Sequence, residues 1–204
     1  MVRKSLGWIL VVSGLLIVGY PFLQKVAYDR QQQQLLTAFD QLGAIEDREN
    51  FDDQETALSS INEDQSLDLK GARGIITIGK IDLEMLIFEG ASETELSKGV
   101  GMIEPQKDFF KHNVGLAGHR AVADGKQFNR LDELSMDDEI QVNTLNRTLH
   151  YRVTDTFIVH KTEVSVLEDQ ENPHLTLVTC TPLGSWHPTD RLIVQAELQD
   201  ITQK

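Results

Sequence analysis

From Gly74 to Leu198 the sequence is a succession of short β-branched and aliphatic runs broken by turn residues, a texture that excludes helical bundles and alternating α/β architectures. IITIGKI, EMLIFEG, NVGLAGH, DEIQVNT, LHYRVTDTFIV, LTLVTC and RLIVQAEL read as strands, about seven in roughly 130 residues. Helical turns are expected at SETELSKG and at QFNRLDEL, where Phe128, Leu131 and Leu134 share one face. Strands at these intervals predict a mainly β domain, a closed or nearly closed β-barrel with short helices in the connections. The barrel domain is assigned to residues 73–204, which carry 13 basic and 21 acidic groups.

Two regions of different physics precede it. Ser5 to Leu23 is a run of 19 residues without a charge, and as a helix it would span roughly 28 Å, close to a bilayer's hydrocarbon core. Trp8 and Tyr20 sit near its ends, where amphipathic rings favour the interface. The exit, Tyr-Pro-Phe-Leu-Gln, is a poor signal-peptide cleavage site. Residues 1–23 therefore read as a cytoplasmic tip and an uncleaved transmembrane helix, with Arg3 and Lys4 favouring a cytoplasmic N-terminus and an extracellular remainder. Residues 24–72 carry 4 basic and 11 acidic groups and read as a partly helical extracellular stalk. Leu35, Leu36, Phe39 and Leu42 fall on one helix face. The acidic stretch after Leu42 reads as a mobile spacer.

Net charge is −13 and there is one cysteine. An acidic chain does not coat a phosphate backbone, so no nucleic-acid partner is expected. One thiol makes no internal disulfide and no cysteine-rich zinc cluster. Cys180 ends the run LTLVTC, and Arg191 opens the next, RLIVQAEL, after the turn-rich TPLGSWHPTD. If these strands pair antiparallel, Cys180 and Arg191 are neighbours at one barrel rim. A nearby cation favours the thiolate, the nucleophilic form, and a guanidinium can hold a substrate carbonyl or the oxyanion that forms on it. The same two residues also fit a small apolar plug and a solvated edge charge. A thiol nucleophile needs an acid/base partner. Among six histidines, His119 stands out because it ends the apolar strand VGLA beside Gly118. His187, in the loop between Cys180 and Arg191, is the rival.

LAGH at 116–119, TLVTC at 176–180 and Arg191 eleven positions later, in this order, resemble the signature of the sortases, membrane-anchored cysteine transpeptidases of Gram-positive bacteria. The resemblance covers about residues 74–198 and implies an eight-stranded sortase-type β-barrel with a groove for a sorting signal, typically Leu-Pro-x-Thr-Gly. By that likeness Cys180 attacks the Thr carbonyl to form a thioacyl enzyme. His119 protonates the leaving Gly amine and later deprotonates the incoming one, and Arg191 orients the substrate and stabilises the oxyanion. Thr179 and Ala117 match supporting or substrate-binding positions. The implied partners are secreted proteins with a C-terminal sorting signal, a peptidoglycan-precursor amine of the lipid II type, and the lipid bilayer through residues 5–23. No cofactor is required.

Many sortases carry proline where Gly79 stands and another near VHKT at 159–162; this chain has neither. TLVTCTPxG is reminiscent of pilus-assembling sortases, but the Asp-Pro-aromatic lid motif is not seen in this sequence, so a class A-like or class D-like anchoring enzyme is expected. Calcium stimulates some class A members, and Glu104, Asp108 and Glu171 are candidate ligands, with Glu93, Glu95, Glu168 and Asp169 in the same acidic loops. A pilin-polymerising sortase and a non-catalytic, membrane-tethered peptide-binding module are the alternatives.

Overall fold

The computed structural model describes residues 14, 19–20, 26, 29–30, 32–41, 69–120, 127–185 and 187–204. Apart from Gly14, Gly19 and Tyr20, the expected transmembrane run 5–23 lies outside these residues, as does the acidic stretch 42–68. Among the described residues no helix is long and apolar enough to cross a membrane.

Eight strands close into a barrel: β1 (Ala72–Ile78), β2 (Leu83–Glu89), β3 (Val100–Met102), β4 (Asn113–Ala117), β5 (Glu139–Asn143), β6 (Arg147–His160), β7 (His174–Thr181) and β8 (Asp190–Gln203). Their order around the barrel is β1-β2-β3-β4-β7-β8-β6-β5. β2 with β3 and β4 with β7 pair parallel, and the other pairs are antiparallel. The seven expected strands are present, with two local differences. β3 is only Val-Gly-Met, too short to show alternation, yet it bridges β2 and β4 and so closes the ring. The run IITIGKI stops being a strand at Ile78, because Gly79–Ile81 forms a 3-10 turn that leads into Asp82 at φ 52°.

Side-chain alternation explains the composition of each strand. Ile76, Ile78, Met85, Ile87, Val114, Leu116, Leu175, Leu177, Leu192 and Val194 fill the barrel interior. A strand half-exposed to water would alternate with polar residues. β1 and β2 instead read as continuous apolar runs because their outer face is covered as well. Ile75, Leu86 and Phe88 pack under a helix, α1 (residues 32–41), which contributes Leu35, Leu36, Ala38 and Phe39. The apolar face expected in the stalk is thus spent on the barrel wall. Gln32 Nε2 donates to the carbonyl of Lys98 at 2.7 Å, and Lys204 pairs with Asp40 at 3.2 Å, which fastens α1 to the barrel at two points.

The two helical turns differ in extent. α2 (Glu93–Lys98) is a short helix opened by a capping box between Ser92 and Glu95. QFNRLDEL shortens to a 3-10 turn at Leu131–Glu133, because Phe128, Leu131 and Leu134 are pulled into the core at 0%, 0% and 4% exposure.

Candidate functional site

The register of three adjacent strands builds the site. In β7 and β8, Cys180 lies directly opposite Arg191, Val178 opposite Ile193 and Thr176 opposite Gln195. Directly opposed residues share a face of the sheet, and Leu177 and Val194, one step off, point into the core. Cys180 and Arg191 therefore stand side by side on the outer face. β4 runs parallel to β7 with Ala117 opposite Val178. Gly115, Ala117 and His119 alternate with the core residues Val114 and Leu116, so they share that outer face.

Continued two residues, the β4–β7 register sets His119 level with Cys180. Side chains lock this continuation. Thr179, 2% exposed, donates its hydroxyl to the carbonyl of Gly118 at 2.8 Å. Arg120 Nη1 donates to the Thr181 hydroxyl at 2.9 Å, and Arg120 Nη2 pairs with Asp132 at 2.8 Å. The two neighbours of Cys180 are thereby tied to the two neighbours of His119, from the inner side of the wall. A main-chain bond from Gly118 N to Val178 O at 3.1 Å completes the seam. Gly118 is required here because a Cβ would meet the Phe128 ring at 2.6 Å.

The outer face beside Cys180 is apolar. Ala117 and Val178 are half-buried and Ile193 is buried. One end is stopped by the β6–β7 connection, whose Leu167 packs where a Cβ on Gly115 would lie, 2.6 Å away. Asn113 holds that connection, donating from Nδ2 to Val166 O at 2.9 Å and Glu168 O at 3.0 Å while accepting from the Thr176 hydroxyl at 2.7 Å. The thiol is half-exposed. Arg191 uses only Nη1 among the described residues, donating to Pro188 O at 3.1 Å and Asp190 O at 2.9 Å. Its other guanidinium donors remain for a ligand.

His187, the rival histidine, is exposed in the β7–β8 connection. Of the calcium candidates, Glu104 and Asp169 are bridged by Lys107 at 3.0 and 3.2 Å. Burial opposes the Lys107 charge, but bonds from both carboxylates hold its ammonium above the ordinary range. The backbone N–H of Asn113, with Lys107 assisting, holds Asp169 below the usual carboxylate range. Asp108 accepts from Phe110 N at 2.7 Å, and Glu171 is exposed. Among the described residues no three His, Cys, Asp or Glu are grouped to hold a metal ion. A cavity of about 540 Å³ lined by Arg73, Phe110, Leu145 and Arg147 opens at the other end of the barrel, away from the groove.

The Sortase domain family matches residues 76–199. The chain belongs to the sortase family. It is 26% identical over 207 residues to Sortase A of Listeria monocytogenes, covering 98% of this chain and 92% of that one. Sortase D of Bacillus subtilis is 28% identical over 89% of this chain and 91% of its own length. A solved Clostridium perfringens Sortase D5 transpeptidase aligns with TM-score 0.62 and 25% identity, over 83% of this chain and 98% of that one. Sortases are cysteine transpeptidases, and this sortase is an enzyme of that kind.

Sequence reasoning missed Arg120 and Asp132, and it named Glu93 as a calcium candidate, not as a neighbour of His119. Arg120 follows His119 directly and could have been flagged as a charge beside an apolar strand end. Its brace to Thr181 depends on the barrel's closure. We expect Thr179→Val, nearly isosteric, to leave the Gly118 carbonyl without its buried donor and to cost about 1–3 kcal/mol locally. The turnover number should fall roughly tenfold at that energy with far-ultraviolet circular dichroism unchanged, and Thr179→Ser should restore it.

Proposed function

We propose that this sortase cleaves an LPxTG-type sorting signal between Thr and Gly through a thioacyl intermediate on Cys180 and passes the acyl group to a cell-wall amine of the lipid II type. The observation that carries this reading is the register that sets Cys180 opposite Arg191 and, continued two residues past the end of β4 at Ala117, brings His119 level with Cys180. The Cys180 thiolate attacks the Thr carbonyl carbon, and the developing oxyanion lies within reach of the free Arg191 donors. His119 gives its proton to the Gly amine as the C–N bond breaks, leaving the thioester. The incoming amine attacks that carbonyl and yields its proton to His119. The C–S bond breaks and the thiolate returns. One amide is exchanged for another, so no energy-rich cofactor is consumed. Thr179 acts through position, by holding the His119 and Cys180 strands in register.

The likeness to relatives named Sortase A and Sortase D supports an anchoring enzyme. The uncharged run 5–23, with Arg3 and Lys4 before it, supports a single-pass anchor with the barrel outside the cell. We read the reaction as independent of calcium. The ammonium of Lys107, which sits between Glu104 and Asp169 where a metal ion would compete with it, supports this reading. Chelator should leave the rate unchanged. Lys107→Met should separate the two loops, since Lys107 also donates to Leu167 O at 2.6 Å. A loss of about 1–3 kcal/mol is expected, a fall in Tm of several degrees, read by calorimetry. Because the folded-state pKa of Asp169 is depressed, its contribution is present above the unfolded value near ~3.9 and is lost as pH falls through the lower folded value.

The test is transfer itself. The full chain in lipid nanodiscs, given a Leu-Pro-x-Thr-Gly peptide and a small amine, should release the peptide after Thr and join it to the amine. Cleavage that ignores added amine would indicate a hydrolytic peptidase, and binding without cleavage a recognition module.

A further inference from the structure

We propose that Glu93 recruits the ammonium form of the incoming amine to His119 and so sets the acceptor preference; the proposal rests on the transpeptidase reading above. Glu93 is the first residue of α2. Its Oε1 lies 3.6 Å from His119 Nε2, too long for a hydrogen bond and within ion-pair range. Its side chain is 87% exposed and makes no other ion pair among the described residues. The neighbouring acid, Glu95, is occupied differently, accepting from both the hydroxyl and the backbone N–H of Ser92 in the capping box.

The carboxylate is exposed, but its backbone is held. Gln127, which follows the His119 segment, donates to Leu96 O at 2.6 Å, and Gln32 of α1 donates to Lys98 O at 2.7 Å. α2 is thereby fastened to both the histidine loop and the stalk helix. Of the cations near the seam, Arg120 pairs with Asp132, and Arg191 stands beside Cys180 with Nη1 on two carbonyls and its other donors turned to the substrate role. Among the described residues, Glu93 is the carboxylate within ion-pair range of His119.

An alkyl amine has a pKa near ~10, as a lysine does, and arrives at neutral pH as a cation. It first loses one proton to water, and the neutral amine yields its second to His119 as it attacks the thioester, which restores the imidazolium together with the thiolate. A carboxylate at the base raises the local concentration of that cation without joining the proton transfer.

Partition of the thioacyl intermediate tests this, because amide and acid products come from the same intermediate and their ratio cancels any difference in folding or acylation. The full chain in nanodiscs is given a sorting peptide and either 1,5-diaminopentane, a cation at neutral pH, or hydroxylamine, which is uncharged there. Glu93→Gln should lower the amide-to-acid ratio with the diamine about two- to fivefold, the range expected of an exposed charge pair. Glu93→Lys should lower it further, and 1 M salt should bring the wild-type ratio down to that of Glu93→Gln. The hydroxylamine ratio should hold in all three chains. Glu84→Gln, which removes a carboxylate from β2, should behave as wild type. An equal fall with hydroxylamine would overturn the proposal by placing the effect on His119, and no fall with either nucleophile would overturn it by leaving Glu93 a solvated surface charge. A wild-type chain that forms neither product would overturn the transpeptidase reading and this proposal with it.

Discussion

Cys180→Ala is expected to abolish peptide cleavage and amine transfer together, a loss on the order of 10⁴-fold or more, as when a covalent nucleophile is removed from an enzyme that has no second route. The fold should survive. Cys180 is half-exposed on the outer wall of the barrel, and its two neighbours are held from the inside by Gly118 and Arg120. Removing a sulfur from such a position changes stability within about 0.5 kcal/mol, so Tm should be unchanged within error. Peptide binding should persist as well, since the floor made by Ala117, Val178 and Ile193 stays in place. A large drop in Tm would instead mark Cys180 as a packing residue, the plain alternative for a lone cysteine in a strand.

His119→Ala is expected to lower kcat/KM for cleavage by about 10²–10⁴-fold, the range for a positioned general acid or base. The imidazole is 43% exposed and makes no contribution to the core, so stability should again be little affected. Deletion of the acid leaves the Gly amine to depart unprotonated, and a sorting peptide whose leaving group needs no proton, such as a thioester or activated ester, should recover most of the lost acylation rate. This rescue separates a proton-transfer role from a purely structural one. His187→Ala, at the exposed rival position, should stay within a factor of about two of wild type, by the same exposure argument.

Much of this site was legible in the sequence because it depends on local order. Cys180 and Arg191 are joined by a single connection, so antiparallel pairing was enough to bring them together. Alternation within NVGLAGH was enough to put His119 at a strand end. What the sequence did not show depends on contacts between distant segments. Arg120 reaches Thr181 across 61 positions, and Gln127 reaches Leu96 across 31, through closure of the ring. β3 has three residues, below the length at which a period of two can be read. The amphipathic pattern in the stalk was visible, yet its partner was not. Only the folded barrel reveals that Ile75, Leu86 and Phe88 form a second apolar face awaiting it. Acidic clustering likewise showed Glu104 and Asp169 but not the Lys107 ammonium that bridges them, since Lys107 and Asp169 are brought together by the fold.

Intact-mass spectrometry of the full chain, quenched in acid after mixing with a sorting peptide, tests the central claim most directly. The account predicts a species heavier by the acyl fragment ending in Thr, mapped to Cys180 by digestion, that disappears faster as amine is added. Peptide cleavage with no adduct on Cys180, or an adduct whose lifetime ignores the amine, would contradict it.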